Sequence, residues 1–327
     1  MTALLRPMTL GEILDRTFEI YRKWFLLFVG IAALPAIALL GVHFADIAWL
    51  HTDRLHGTLD RGGTFVRGQI AWLGYFHVSA FIGALFLPAF VHASSNILFG
   101  KNTTMMASLG FVLTRWRTYT WIAILKLAAQ LVMPEVLAFS LIFGGVAILE
   151  MTGRLDTFTF FPMGAVILIP LGGLVFLFLW IGASIAFAIP AATLEGLRGV
   201  TALRRSWHLA RGSRWRVFLA WAAIFAGSWV ISVLVAVSLQ WLAYTVDKDW
   251  HLHWVSRRLY LQLAYTSYAT INALIGPVYP IAITLLYFDQ RVRKEGYDLE
   301  KMMEAAGLVH APEKAGDETL PAGIGEA

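Results

Sequence analysis

LRGVTALRRSWHLARGSRWRVFLAW, from Leu197 to Trp221, starts as a basic amphipathic segment and ends inside an apolar one. At 100° per residue, Leu197, Val200, Leu203, Trp207 and Ala210 share one helical face. Arg198, Arg205 and His208 fall opposite, with Arg204 and Arg211 on the flanks. Gly212 is placed to end that helix. Beyond Arg214, Trp215 and Arg216 the chain stays apolar to Tyr244, enough to cross about 30 Å of hydrocarbon. The unit predicted here is a surface helix leading directly into a membrane span.

The same design occurs twice upstream. Thr9 and Glu12 have capping-box spacing, so a helix is predicted to start there. Leu10, Ile13, Leu14, Thr17, Tyr21 and Trp24 form its apolar face, and Glu12 to Arg16 and Glu19 to Lys23 are spaced for i,i+4 pairs. Lys101 to Trp116 is a shorter, more apolar counterpart, with Arg115, Trp116 and Arg117 before the next apolar run. The copies start near Thr9, Thr103 and Val200, about 94 and 97 residues apart, which points to internal duplication.

Six apolar runs follow from this reading: Trp24–His43, Ile70–Phe99, Thr118–Leu149, Phe161–Leu194, Trp215–Tyr244 and Leu259–Phe288. Polar loops are predicted at 46–67, 150–159 and 245–258. Gly144, Gly145, Gly172, Gly173 and Gly182 are the small residues that let membrane helices approach closely. The expected fold is therefore an all-α polytopic membrane protein with six transmembrane helices, in three repeats of a cytoplasmic amphipathic helix and a transmembrane hairpin. A single membrane domain covers residues 1–302, with repeats at about 8–100, 101–196 and 197–290 and then a basic segment. The tail 303–327 is expected to be disordered and cytoplasmic.

Composition agrees with that class. Hydrophobic residues make up 58% of the 327 and charged residues 14%, against about 25% charged in soluble domains. Mean hydropathy is +0.66. The absence of cysteine excludes disulfides, thiolate metal sites and cysteine nucleophiles. The net charge of +5 lies beside apolar spans, where it suits anionic headgroups better than nucleic acid. Charged residues within the first twenty-three positions argue against a cleavable signal peptide. Seventeen Lys and Arg lie on the side of the amphipathic helices and seven on the other, so both termini are expected in the cytoplasm.

Lys126 and Glu135 are charged residues inside the third span and mark a candidate polar path. Their nine-residue offset puts them on opposite faces of one straight helix, so each needs a partner elsewhere. His92, Ser94, Ser95 and Asn96 cluster near the end of the second span, as interhelical hydrogen-bonding groups or a headgroup site. Candidate headgroup contacts are Arg198, Arg204, Arg205, Arg211, Arg214, Arg216, Arg291, Arg293 and Lys294. His51, Asp53, His56, Asp247, Asp249, His251 and His253 crowd the opposite loops but match no established zinc spacing, so no metal or cofactor is expected. GxSxG, HExxH, GxxxxGK[ST] and strand-linked GxGxxG are all missing, so no motif-bearing enzyme chemistry is expected.

Three stretches together carry a family resemblance: RPMTLGEILDRTFEIYRKWF from Arg6 to Phe25, ALRRSWHLARGSRWR from Ala202 to Arg216, and LLYFDQRVRKEGYDLE from Leu285 to Glu300. They resemble the membrane domain of some bacterial glycerophosphoryl diester phosphodiesterases, which also occurs alone. Phe288 and Gln290 depart from the pattern, where a Tyr and an aliphatic residue are expected. In relatives with phosphodiesterase activity, a separate barrel domain of about 250 residues carries it, and this chain has no room for one. The resemblance implies a bacterial inner-membrane location and a link to envelope or glycerophospholipid metabolism, without the enzyme activity. The expected function is a non-enzymatic scaffold or lipid-handling module whose partners are anionic membrane lipids. A permease with a path near Lys126 and Glu135 is the second reading, and a phosphodiester hydrolase using the His and Asp loops the third.

Overall fold

Helix is expected wherever apolar runs must satisfy their own backbone in lipid, and helix is what forms. The computed structural model describes residues 6–55, 61–151, 160–250, 266–267, 270–271 and 273–296. These are all-helical, and six helices are long and apolar enough to cross a membrane. In chain order they are α1 (Leu10–Lys23), α2 (Phe25–Leu55), α3 (Arg61–Leu98), α4 (Met105–Thr114) and α5 (Trp116–Leu127). A π-helical turn over Ala128–Val132 joins α5 to α6 (Met133–Met151). Then come α7 (Phe160–Ser184), α8 (Ala188–Leu194), α9 (Gly199–Ala210), α10 (Arg214–Trp250) and α11 (Val278–Glu295). A short helix thus precedes a long one at α1–α2, α4–α5 and α9–α10.

The caps follow the sequence. Thr9 Oγ1 accepts from the Glu12 amide at 3.2 Å, and the Thr9 amide donates to Glu12 at 2.7 Å. The Thr9 amide first, and then the Arg6 guanidinium, hold the Glu12 carboxyl below the usual carboxylate range. Thr104 caps α4 by accepting from the Ala107 amide. Helix α9 stops at Ala210, and Gly212 takes a φ of +83° that a side chain would strain. The expected i,i+4 pairs on α1 do not form. Glu12 is taken by Arg6, six residues away, and Glu19 by Arg16 at i,i+3.

Parts of two stretches expected as polar loops, 46–55 with 61–67 and 245–250, are helical. Helix continues to Leu55, resumes at Arg61, and on α10 reaches Trp250, because a helix leaving the hydrocarbon keeps its backbone bonds until a breaker ends it. Of the outer-loop His and Asp set, His56, His251 and His253 lie outside the described residues, as does the tail 303–327. No group of three metal-ligating residues occurs among the described residues.

At the centre stands α11, whose residues from Ile281 to Gln290 are all buried. Around it pack α3, α8, α9 and α1, with Phe187, Ile189, Phe28 and Ile13 in the shared core. The middle of α10 is peripheral, exposing Phe225, Trp229, Leu234 and Trp241. The amphipathic helices sit on the bundle rather than beside it. Ile13, Thr17 and Ile20 of α1 are buried, with α11 the main partner, and Ala202, Ser206 and Leu209 of α9 are buried too. On α9 this differs from the expected face, since Val200 and Trp207 point outward. On α9 the small Ala202, Ser206 and Ala210 join Leu209 on the face toward the protein, where small residues allow close approach.

Candidate functional site

The three stretches that carry the family resemblance meet at one end of the bundle. Asp289 of α11 is buried and gathers them. Its carboxylate accepts from the Met8 amide at 2.8 Å, Arg216 Nη1 at 2.8 Å and Arg293 Nε at 3.0 Å. Arg216 and Arg293 each also donate to the Met8 carbonyl at 2.7 Å. A second cluster has Arg205 forked between Glu195 and Glu295, with Arg291 alongside and the Tyr287 hydroxyl donating to Glu195. Glu195 first, and Glu295 next, raise the already high Arg205 pKa further. Lys294 donates to the His208 and Leu209 carbonyls at the end of α9, where a helix favours a cation. Arg214 donates to Ser184 Oγ at 2.7 Å and lies over the Trp180 and Trp207 rings at 4.5 and 4.8 Å.

The expected headgroup contacts therefore divide. Arg205, Arg214, Arg216, Arg291, Arg293 and Lys294 take the protein's own carboxylates, carbonyls and rings as partners. Arg198, Arg204 and Arg211 are exposed, and no side-chain pairing is seen for them among the described residues. Sequence reading missed Glu195, Asp289 and Glu295 as the groups that hold the basic residues. Only Asp289 to Arg293 and Arg291 to Glu295, at i,i+4, were visible as pairs.

His92 and Asn96 form part of the joint between α3 and α4. The His92 ring stacks on Phe111 at 4.4 Å, Asn96 Nδ2 lies 3.3 Å from His92 Nε2, and Ser108 Oγ lies 3.4 Å from His92 Nδ1. His92 is thus spent on the neighbouring helix, and Asn96 on His92 within its own helix.

Lys126 is placed differently. It lines a cavity of about 530 Å³ built from all six spans, a size common for small-molecule sites. Pro35 of α2, Gly83 of α3, Leu127 of α5, Leu179 of α7, Trp221 of α10 and Tyr279 of α11 line its walls. Gln130, on the π-helical turn, adds an amide, and such turns are frequent at functional sites. Room for that amide comes from Gly182, where a Cβ would meet Gln130 Nε2 at 2.4 Å. Gly145 likewise admits Val166, whereas Gly144, Gly172 and Gly173 face open space, so close packing accounts for only part of the glycine set. Lys126 lies about 15 Å along the helix from Trp116, near mid-bilayer depth. There an ammonium costs about 2.5–3.5 kcal/mol on insertion scales. Among the described residues Lys126 has no hydrogen bond or ion pair.

Glu135 does find a partner, on another helix. His77 Nε2 of α3 lies 3.1 Å from Glu135 Oε2, and His77 Nδ1 lies 2.8 Å from the Leu73 carbonyl. A carbonyl only accepts, so Nδ1 carries a hydrogen. Through Nε2 the ring then pairs with the Glu135 carboxyl group. Tyr75, Phe76 and Ser79, next to His77 in sequence, line the cavity. Lys126 is thus left with its charge in an apolar chamber. A scan against protein-family models, a search of curated proteins and a search of solved structures each find no match to this chain.

Proposed function

We propose that this protein is a non-enzymatic lipid-handling module of the bacterial inner membrane, which holds a lipid or other amphiphile in its central cavity. The observation that carries this reading is the cavity itself: an apolar chamber within the membrane-spanning region, walled by all six spans. A water-filled site would need many polar partners, and these walls are mainly Leu, Phe, Ala and Pro. The three helix pairs are read as copies of one unit with their short helices on the cytoplasmic side, where Arg198, Arg204 and Arg211 meet anionic headgroups. The resemblance to phosphodiesterase membrane domains adds the link to glycerophospholipid metabolism. A permease for an amphiphile draws on the same cavity and on the His77 to Glu135 pair between α3 and α6. Flux into proteoliposomes separates a carrier from a static holder.

A diazirine-tagged acyl lipid reconstituted with the protein tests the reading. Photolysis should label residues such as Ala84 and Leu127 of the cavity. Gly83→Phe should remove that labelling, because open space lies where its side chain would grow. Labelling confined to outward positions such as Phe225 and Leu234 would overturn the lipid site.

A further inference from the structure

From the lone ammonium in an apolar chamber we infer that the ligand is an acidic amphiphile: one carboxylate or phosphate group paired with Lys126, and an acyl chain along the cavity. The assignment rests on reading the cavity as a lipid site and adds the headgroup class. Among the described residues Lys126 is the one lysine or arginine that lines the chamber, and no carboxylate lines it. Glu135, on the same span, is committed to His77. The other acidic groups described above, Glu195, Asp289 and Glu295, are held by arginines at the basic end of the bundle. Among the described residues no acidic group is left to pair with Lys126, and we assign its counter-charge to a molecule entering the cavity.

Gln130 and Tyr279 line the same chamber. An amide N–H and a phenol O–H both suit the remaining lone pairs of an acid group. Most of the remaining lining is apolar, with Tyr75, Ser79 and Trp221 adding a few polar atoms, which disfavours a compact, fully hydrated anion as the natural occupant. The size agrees. At about 30 Å³ per water-sized group, 530 Å³ holds on the order of eighteen heavy atoms, the scale of one acyl chain with its headgroup. A two-chain glycerophospholipid is more than twice that size, so the ligand is a single-chain acid, or a lipid with its second chain outside in the bilayer.

The test is equilibrium binding of radiolabelled palmitate to the full chain in a neutral detergent, competed by hexadecanol, palmitoyl lysophosphatidate and inorganic phosphate. Palmitate or lysophosphatidate should win over hexadecanol, and the stronger of the two identifies the acid as carboxylate or phosphate. Inorganic phosphate should not compete. Lys126→Ala should weaken acid binding about ten- to a hundredfold while leaving the alcohol unchanged, and Lys126→Arg should restore most of it. Thermal unfolding of each variant verifies that it is folded, and Lys126→Gln serves if the alanine variant is not. Hexadecanol binding as tightly as palmitate, with both abolished by Gly83→Phe, would sink the acid assignment and leave the lipid site standing. Acid binding unchanged in Lys126→Ala would also sink it. Failure of every chain-bearing probe to bind would remove the lipid site as well, and competition by inorganic phosphate alone would replace the amphiphile with a small anion.

Discussion

Asp289 shows how one residue fixes the basic end. Its buried carboxylate meets two guanidinium groups and the Met8 amide, so removing it strands two arginines whose other partner is a single backbone carbonyl. Breaking a buried pair from one side costs about 3–5 kcal/mol. Asp289→Ala should therefore lower the thermal stability of the protein in detergent sharply. It should also release the segment before Thr9 to limited proteolysis, because Met8 loses its acceptor. Asp289→Asn keeps an acceptor for Met8 and should fall between. Equal stability of all three would mean that the arginines are satisfied by lipid or water and that the cluster holds nothing together. The contrast with Lys126 is informative. Asp289 is paired twice over and reads as structure, whereas Lys126, inside an apolar cavity with no described partner, reads as a place for something else.

Among the elements, α9 is the one whose role changes most between sequence and structure. Its periodicity places it at an interface, but the face it gives the protein is Ala202, Ser206 and Leu209. Ser206 explains why. The chain breaks between α7 and α8 at residues 185–187, which frees backbone groups that lipid cannot satisfy. Ser206 Oγ donates to the Ser184 carbonyl at 2.9 Å and accepts from the Phe187 amide at 3.0 Å, bridging the break. Ser206→Ala orphans both, at about 1–3 kcal/mol for a buried group. Ser228→Ala, which removes only a bond to Ile224 within α10, should be nearly neutral. Thermal unfolding of the two variants side by side measures the difference, and equal midpoints would mean that the break needs no external bridge. A hydrophobic-moment argument could not find Ser206, because its partners lie 19 and 22 residues away and its value comes from a break in another helix.

At the scale of the whole molecule, the features legible in sequence are those set by local rules. The six apolar helices, the Thr9 capping box and the Gly212 stop follow from composition, spacing and backbone geometry. The offset of Lys126 and Glu135 also showed that they needed separate partners, but His77 was not visible as one, because it sits on a different helix about sixty residues earlier. The cavity was equally hidden, since it is walled by residues from six helices that are far apart in sequence. Orientation is the remaining global property, and our proposal for it rests on the seventeen-to-seven split of Lys and Arg. The cysteine-free sequence allows single-cysteine labelling without background. Cysteines at Asn102 and Arg211 precede α4 and α10, and those at His56 and Asp156 fall in stretches expected from sequence as loops on the opposite side. In sealed right-side-out vesicles an impermeant maleimide should label the second pair and spare the first until the membrane is opened. If Asn102 and Arg211 label from opposite sides, an odd number of crossings separates them, and an arrangement of three equivalent hairpins is ruled out.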